Sequence, residues 1–267
     1  MSEALPEPQF GGKAMNLSLA IDAGLDVPDG YAMDTCFVEA FAKHDSQAIE
    51  QLKSVFDKMR PPIAVRSSGV GEDSEGASFA GQHASILNVM DDEQLDAAVA
   101  EVIASAFTDS ARDYREKMGM PGNPRMGIVL QELLPSEAAG VMFTRNPLSG
   151  LEERVIEAAW GLGEVVVAGL VIPDYYRLST QGEVLEVKIG DKDVELRPLP
   201  EGGTEEIDIP AERAEERILS ESDLQALHEL ASRCEAAYGL NLDIEWGRSD
   251  GKFWLLQCRA ITTTSAP

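Results

Sequence analysis

Apolar and polar positions divide this chain into segments of helical and strand period. Leu242 to Thr263 reads LDIEWGRSDGKFWLLQCRAITT, two apolar-rich runs around the polar turn Arg248-Ser249-Asp250-Gly251-Lys252, and predicts a β-hairpin. Polar residues interrupt the runs at alternate positions, Asp243 and Glu245 on the first and Gln257 and Arg259 on the second. Side chains two apart on a strand share a face. All four share one face if Glu245 pairs with Gln257, which takes an odd loop or a bulge. A simple two-residue turn pairs Glu245 with Leu256 and scatters the set. Periodicity alone leaves two readings open: an edge hairpin with one solvated face, or two carboxylates at a strand end suited to a hard cation such as Mg²⁺.

Upstream, Ala14 to Ala23 has the spacing of a helix, with Gly24 as its stop and Val27-Pro28-Asp29-Gly30 as a turn. The glycine pair before it, Gly11-Gly12, makes an anion-binding geometry to which Lys13 adds charge. Residues 36–60 read as helix up to Pro61-Pro62, and Ile63-Ala64-Val65 as a strand. Arg66-Ser67-Ser68 closes that strand, and Gly69 to Gln82 follows as a long run of small and polar residues, predicted to be a loop. Arg66, at the strand end, is the only cation of the stretch and suits a phosphate clamp. Ser85 to Val89 is a predicted strand, 91–119 mostly helix, and Met126 to Leu134 a buried strand carrying Gln131 and Glu132. Strands at 139–144 and within 175–200 come next, with Val155 to Ala159 between them leading into Trp160-Gly161-Leu162-Gly163-Glu164. Glu201 to Glu216 reads as an acidic, poorly ordered excursion, and Ser222 to Tyr238 as a helix stopped by Gly239. The mixed order of elements favours an α+β class over regular βαβ alternation.

The 47 acidic against 22 basic residues give a formal net charge of −25. A phosphate backbone or an anionic membrane is therefore an unsuitable partner, since both need a basic stripe. No apolar run reaches the length of a membrane span, and the N-terminus lacks the basic and apolar regions of a signal peptide, so the cytoplasm is the expected compartment. The three cysteines, Cys36, Cys234 and Cys258, are far apart and odd in number, and read as small apolar filler. In so acidic a chain, any phosphate-binding site must gather its few cations locally.

Several separated motifs stand in one order: GGK at 11–13, VPDGY at 27–31, AVRSS at 64–68, SFAGQ at 78–82, VLQELL at 129–134, GVMFTRNPLSG at 140–150, WGLGE at 160–164, then DIEW and LLQCR within 243–259. In this the chain resembles the nucleotide-binding domain of the pyruvate phosphate dikinase and phosphoenolpyruvate synthase family, which includes rifampicin phosphotransferase. The resemblance runs from Gly11 to Thr263. It implies an ATP-grasp fold with ATP held between the sheets of two lobes, expected here at 1–90 (shortened) and 91–267, and with Mg²⁺ at the phosphates.

Matched position by position, the resemblance makes Lys13 and Arg66 the cations on the phosphates. Gly81 and Ser85 become the phosphate-covering loop and its exit, and Gln131 lies on the strand whose end meets the adenine. Glu245 becomes a metal ligand with Asp243 in support, and Gln257 and Arg259 complete the phosphate and metal side. Lys13, Arg66 and Arg259 are the expected catalytic cations. Arg145, Glu157 and Glu164 are further candidates, and Trp160 reads as core. None of His44, His83 and His228 matches the family's phosphorylatable-histidine motif. His44 and His228 are expected surface residues, while His83 follows FAGQ. The expected activity is transfer of a phosphoryl or pyrophosphoryl group from Mg-ATP to a histidine on a separate carrier protein or domain, with AMP as product. A free-standing ATP-grasp kinase or ligase acting on a small molecule, and a non-catalytic ATP-binding subunit, are the alternatives.

Overall fold

The computed structural model describes residues 5–71, 84–117 and 124–261. It forms two compact units, one of Met1–Ser18, Pro28–Leu133 and Pro198–Thr204, the other of Leu19–Val27, Leu134–Arg197 and Glu205–Pro267. The expected division at 90/91 is therefore not the structural one. The strand at 126–132 lies between two strands of the first unit and cannot be separated from them.

In the first unit, α1 (Glu7–Phe10) and α2 (Gly12–Asp22) precede β1 (Gly30–Met33), α3 (Thr35–Phe41), α4 (Ser46–Phe56), β2 (Ile63–Gly69) and β3 (Ser85–Val89). After these come α5 (Asp92–Ser105), α6 (Asp109–Lys117) and β4 (Met126–Glu132). The last turn of α2 is counted with the second unit. The strands form an antiparallel sheet of order β1-β4-β2-β3. Alternation on the central strands decides its two faces. Ile63 and Val65 of β2 and Ile128 and Leu130 of β4 point into a core with Phe37, Leu52, Leu95 and Val99 of the helices. Ala64, Arg66, Ser68, Val129 and Gln131 take the opposite face.

The helix expected over 36–60 is two helices. His44 sits at φ 56°, in the left-handed region that ends a helix, and the Asp45 carboxylate accepts from the Gln47 and Ala48 amides to start α4. Similarly, 91–119 is divided near Thr108, whose hydroxyl accepts from the Ala111 amide. The strand at 63 runs on through Arg66, Ser67 and Ser68 to Gly69 because β4 pairs with it along its whole length. Of the expected loop, 72–82 lies outside the described residues.

The second unit contains β5 (Ala138–Phe143), β6 (Glu153–Trp160), α7 (Glu164–Val167), β7 (Asp174–Ser179) and β8 (Val184–Lys188). Next come β9 (Val194–Pro198), β10 (Thr204–Asp208), α8 (Ala211–Ala214), α9 (Glu221–Tyr238), β11 (Leu242–Ser249) and β12 (Lys252–Ala260). Its main sheet has the order β12-β11-β5-β6-β7-β8. One face carries Met142, Ile156, Tyr176, Ile244, Trp246 and Cys258, packed against Leu224, Leu227, Ala231 and Cys234 of α9. Ser220 and Asp223 close the start of α9 with a capping box. Cys234 and Cys258 are core filler as expected, whereas Cys36 is exposed.

The stretch 201–216 is structured, contrary to expectation. β9 and β10 form a two-stranded ribbon. Its turn is held by Asn88, whose amide donates to the carbonyls of Leu199 and Gly203 at 2.7 and 2.6 Å. Trp160 donates to the Arg213 carbonyl at 3.1 Å, and the Arg213 guanidinium stacks over its ring. His228 is likewise more than a surface residue. Its Nδ1 lies 2.6 Å from Nη1 of Arg154, which also reaches Ser232 and Glu235. Burial and the Arg154 charge push the His228 imidazole below its usual range. Among the described residues no helix is long and apolar enough to cross a membrane.

Candidate functional site

The polar face of the first unit is built around β2. Arg66 is only 8% exposed and Gln131, on β4, only 4%. Arg66 lies opposite Val129, two ladder positions from the pair Ala64 and Gln131. Its Nη1 reaches the Gln131 Oε1 in a long hydrogen bond of 3.4 Å. Two residues further along the same face, the Ser68 hydroxyl accepts from the Ala14 amide at 3.0 Å and so anchors the first turn of α2 on the sheet. The close approach explains Gly11. At φ 80°, a Cβ there would lie 1.9 Å from the Ser68 carbonyl oxygen. Lys13 belongs to this anchored turn and is buried. Ser85 pairs directly with Arg66 across β2 and β3 and is exposed. Gly81 and His83 lie outside the described residues. A buried guanidinium, a buried ammonium and a helix N-terminus make a setting for anionic oxygens.

In the second unit the hairpin resolves the register question left by the sequence. Asp250 and Gly251 form a two-residue turn with φ of 51° and 69°, the left-handed pair typical of tight hairpins. From that turn outwards Ser249 pairs with Lys252 and Trp246 with Leu255. Continued, that count would set Glu245 opposite Leu256. A register shift between Glu245 and Trp246 intervenes instead, so Glu245 pairs with Gln257 and Asp243 with Arg259. Leu256 is the extra residue the bulge absorbs. All four polar side chains therefore share one face.

That face continues across the sheet in two rows. Gln257, Glu245, Val141, Glu157 and Tyr175 are successive partners from β12 to β7. Two residues along, Arg259, Asp243, Phe143, Val155 and Arg177 form the second row. Asp243 Oδ2 accepts from Arg259 Nε at 3.0 Å and from Nη2 at 2.7 Å. Arg177 is held by Glu153 and Glu186. Arg145 donates to the Gly150 carbonyl and closes the loop between β5 and β6, while Glu164 begins α7.

The donor set suits Mg²⁺. Glu245 and Gln257 offer a carboxylate and an amide oxygen side by side, and Mg²⁺ favours one or two protein oxygens completed by phosphate and water. Among the described residues no group of three or more His, Cys, Asp and Glu side chains is arranged to hold a metal, so an all-protein cage is not what this face presents. Asp243 accepts two hydrogen bonds from Arg259, which fits the supporting place that the resemblance assigns it.

Glu157 is the residue whose environment the sequence did not reveal. It is half-buried in the middle of the sheet, and among the described residues its carboxylate has no ion-pair or hydrogen-bond partner. Burial alone raises its pKa. A carboxyl with a raised folded-state pKa contributes stability below its unfolded value of 4.5, and loses that contribution as pH rises through the folded value. Glu157→Gln removes this dependence. The urea midpoint of the variant should therefore gain on that of the unaltered protein as pH rises from about 4.5 to 8. A difference that stays constant with pH would contradict the burial argument. The signal available in the sequence was the alternation of Glu153, Val155 and Glu157, and then of Tyr175 and Arg177, on neighbouring strands.

Comparison with known proteins gives the fold its class. Dinucleotide-forming acetyl-coenzyme A synthetase 1 of Ca. Korarchaeum cryptofilum aligns over 94% of this chain and 92% of its own, with a TM-score of 0.50 and 14% identity. That likeness is one of fold, and the domain is an α+β ATP-grasp domain. The sequence profile of the pyruvate phosphate dikinase AMP/ATP-binding domain matches residues 37–267, and the chain belongs to that family. An uncharacterized phosphotransferase, YvkC, of Bacillus subtilis is 36% identical over 95% of this chain. A probable phosphoenolpyruvate synthase of Archaeoglobus fulgidus is 33% identical over 96%. Rifampicin phosphotransferase of Streptomyces sviceus is 39% identical over 76%. The chain spans only 33%, 40% and 24% of the respective lengths of these three relatives. The resemblance read from the motifs is borne out. By family the chain is an AMP/ATP-binding domain.

Proposed function

We propose that this chain binds Mg-ATP and passes a phosphoryl or pyrophosphoryl group to a histidine on a separate carrier protein or domain, leaving AMP. The observation that carries the reading is the bulged register of β11 and β12, which puts Glu245, Gln257, Asp243 and Arg259 on one face although the turn alone would scatter them. In this reading Glu245 and Gln257 hold Mg²⁺, and Asp243 orients Arg259. Lys13 and Arg66 neutralise phosphate oxygens, Ser85 stands beside Arg66 at the head of β3, and Gln131 serves the nucleotide from β4. Bound Mg²⁺ would draw negative charge from the phosphate oxygens. Phosphoryl transfer asks for this kind of positioning and charge neutralisation rather than covalent chemistry by the protein.

Calorimetric titration with Mg-ATP tests the proposal on the unaltered protein, Glu245→Ala and Arg66→Ala. Saturable binding is expected, weakened about tenfold to a hundredfold or more in each variant, since each loses a charge-assisted contact. Binding that survives both substitutions would move the nucleotide elsewhere. Absence of binding by the unaltered protein would remove the reading altogether. Formation of AMP rather than ADP, only when a histidine-bearing partner is added, would distinguish the dikinase-type reaction from direct kinase action.

A further inference from the structure

Glu157 lies in the same row as Glu245 and Gln257, separated from Glu245 by the apolar Val141 alone. The charged side chains near it are engaged elsewhere. Arg177, diagonal to it on β7, is taken by Glu153 and Glu186. Tyr175, directly opposite, lies under the Lys188 ammonium. Glu153 on its own strand binds Arg177 and Asn146. Glu164, at the head of α7, belongs to a helix that packs on β5 and β6. Most desolvated carboxylates in a folded protein are matched by a donor or a cation. Glu157 is only half-buried, and among the described residues its carboxylate meets no donor or cation, so its oxygens stand open to an incoming group.

Magnesium is a poor candidate for that arrival. Two carboxylates close enough to share one ion raise each other's pKa, and no neighbouring carboxylate contributes to the rise at Glu157, which comes from burial alone. Alternate strands also set the two Cα atoms roughly 10 Å apart, two strand spacings. That separation leaves room for an acceptor group beside the metal-bound phosphate.

We infer that Glu157 takes the proton from the nucleophile that receives the phosphoryl group beside Glu245 and Gln257. The inference rests on the proposed function. For an imidazole acceptor the step balances as follows. The Nε2 lone pair forms the new bond to phosphorus. The bond from phosphorus to the bridging oxygen breaks, with its electron pair staying on the departing nucleotide. The Nδ1 proton, acidified as the ring becomes cationic, passes to a Glu157 oxygen and leaves a neutral phosphoimidazole. The carboxylate also stabilises the positive ring while it forms.

The test uses Mg-ATP with free imidazole as acceptor, and with water as the alternative acceptor. Product is followed by phosphorus NMR across pH, and Mg-ATP affinity by calorimetry, for the unaltered protein and Glu157→Gln. The expected result is affinity held within about twofold, a transfer rate lower by about 10² to 10⁴, and loss of the acid limb of the pH–rate profile. A purely structural role would not remove that limb. An unchanged rate and profile in Glu157→Gln would overturn the inference. So would a fall in Mg-ATP affinity parallel to the fall in rate, which would make Glu157 a nucleotide-binding group. If the unaltered protein binds Mg-ATP but transfers to neither acceptor, the inference fails while the nucleotide reading stands. If it does not bind Mg-ATP, the proposed function itself fails.

Discussion

Lys192→Met is expected to destabilise the protein by about 3–5 kcal/mol, the cost of leaving a buried charge without its partner. Lys192 and Asp174 are both fully buried, with Nζ 2.5 Å from Oδ1. The Asp174 carboxylate also accepts from the Gly190 amide at 2.9 Å, the Ile218 amide at 2.9 Å and the Tyr176 hydroxyl at 2.8 Å. Tyr176 in turn accepts from the Leu219 amide at 3.1 Å. One carboxylate thus ties β7 to the chain after β8 and to the segment entering α9. Methionine keeps the aliphatic stem and removes the ammonium, so the loss isolates electrostatics from packing. Combining it with Asp174→Asn should cost less than the sum of the two single changes, because the second removes the stranded charge. Urea denaturation with a constant m-value checks this. A loss below about 1 kcal/mol for Lys192→Met would show that the pair is dispensable.

Neither Asp174 nor Lys192 could be paired from the sequence, since 18 positions and a strand separate them and nothing in their local pattern marks them. Local chemistry was more legible. The Gly11-Gly12-Lys13 start of α2, the Gly239 stop of α9 and the polar turn around Asp250-Gly251 all follow from residues within a few positions of each other. The hairpin register sits between these cases. The turn is visible locally, but the bulge depends on which of two adjacent leucines enters the core. Leu255, fully buried opposite Trp246, takes that place, and Leu256 becomes the extra residue. Identical neighbouring side chains carry no signal for such a choice. The division at 90/91 was misplaced for a related reason. β4 follows two helices in sequence yet enters between β1 and β2, a long-range insertion to which local periodicity is blind. Of the candidate site residues, those on strands could be assigned to faces once the pairings were known. Glu157 needed β5, β6 and β11 side by side before its place in the row became evident.

Arg259→Lys is expected to lower transfer from Mg-ATP by about 10² to 10³ while Mg-ATP affinity falls by less than about tenfold. The substitution keeps the positive charge, so a role in simple neutralisation would leave the rate nearly intact. What it removes is geometry. Nε and Nη2 of Arg259 both grip Oδ2 of Asp243, and the ion pair is mostly shielded, with side-chain exposures of 18% and 13%. A planar guanidinium fixed along one edge has a defined direction in which to meet phosphate oxygens. An ammonium on a flexible stem is a point charge without that constraint. Asp243→Asn weakens the same grip from the other side, so the two changes should be less than additive in the double variant. If Arg259→Lys transfers at the unaltered rate, the Asp243 contact is a structural tie of the hairpin and the phosphate cation must be sought in the first unit. A low rate with preserved affinity would instead assign Asp243 to orienting Arg259, leaving Glu245 and Gln257 as the oxygen donors for the metal. The bulge would then be what joins the two functions on one face, because without it Arg259 and Glu245 could not both face the nucleotide.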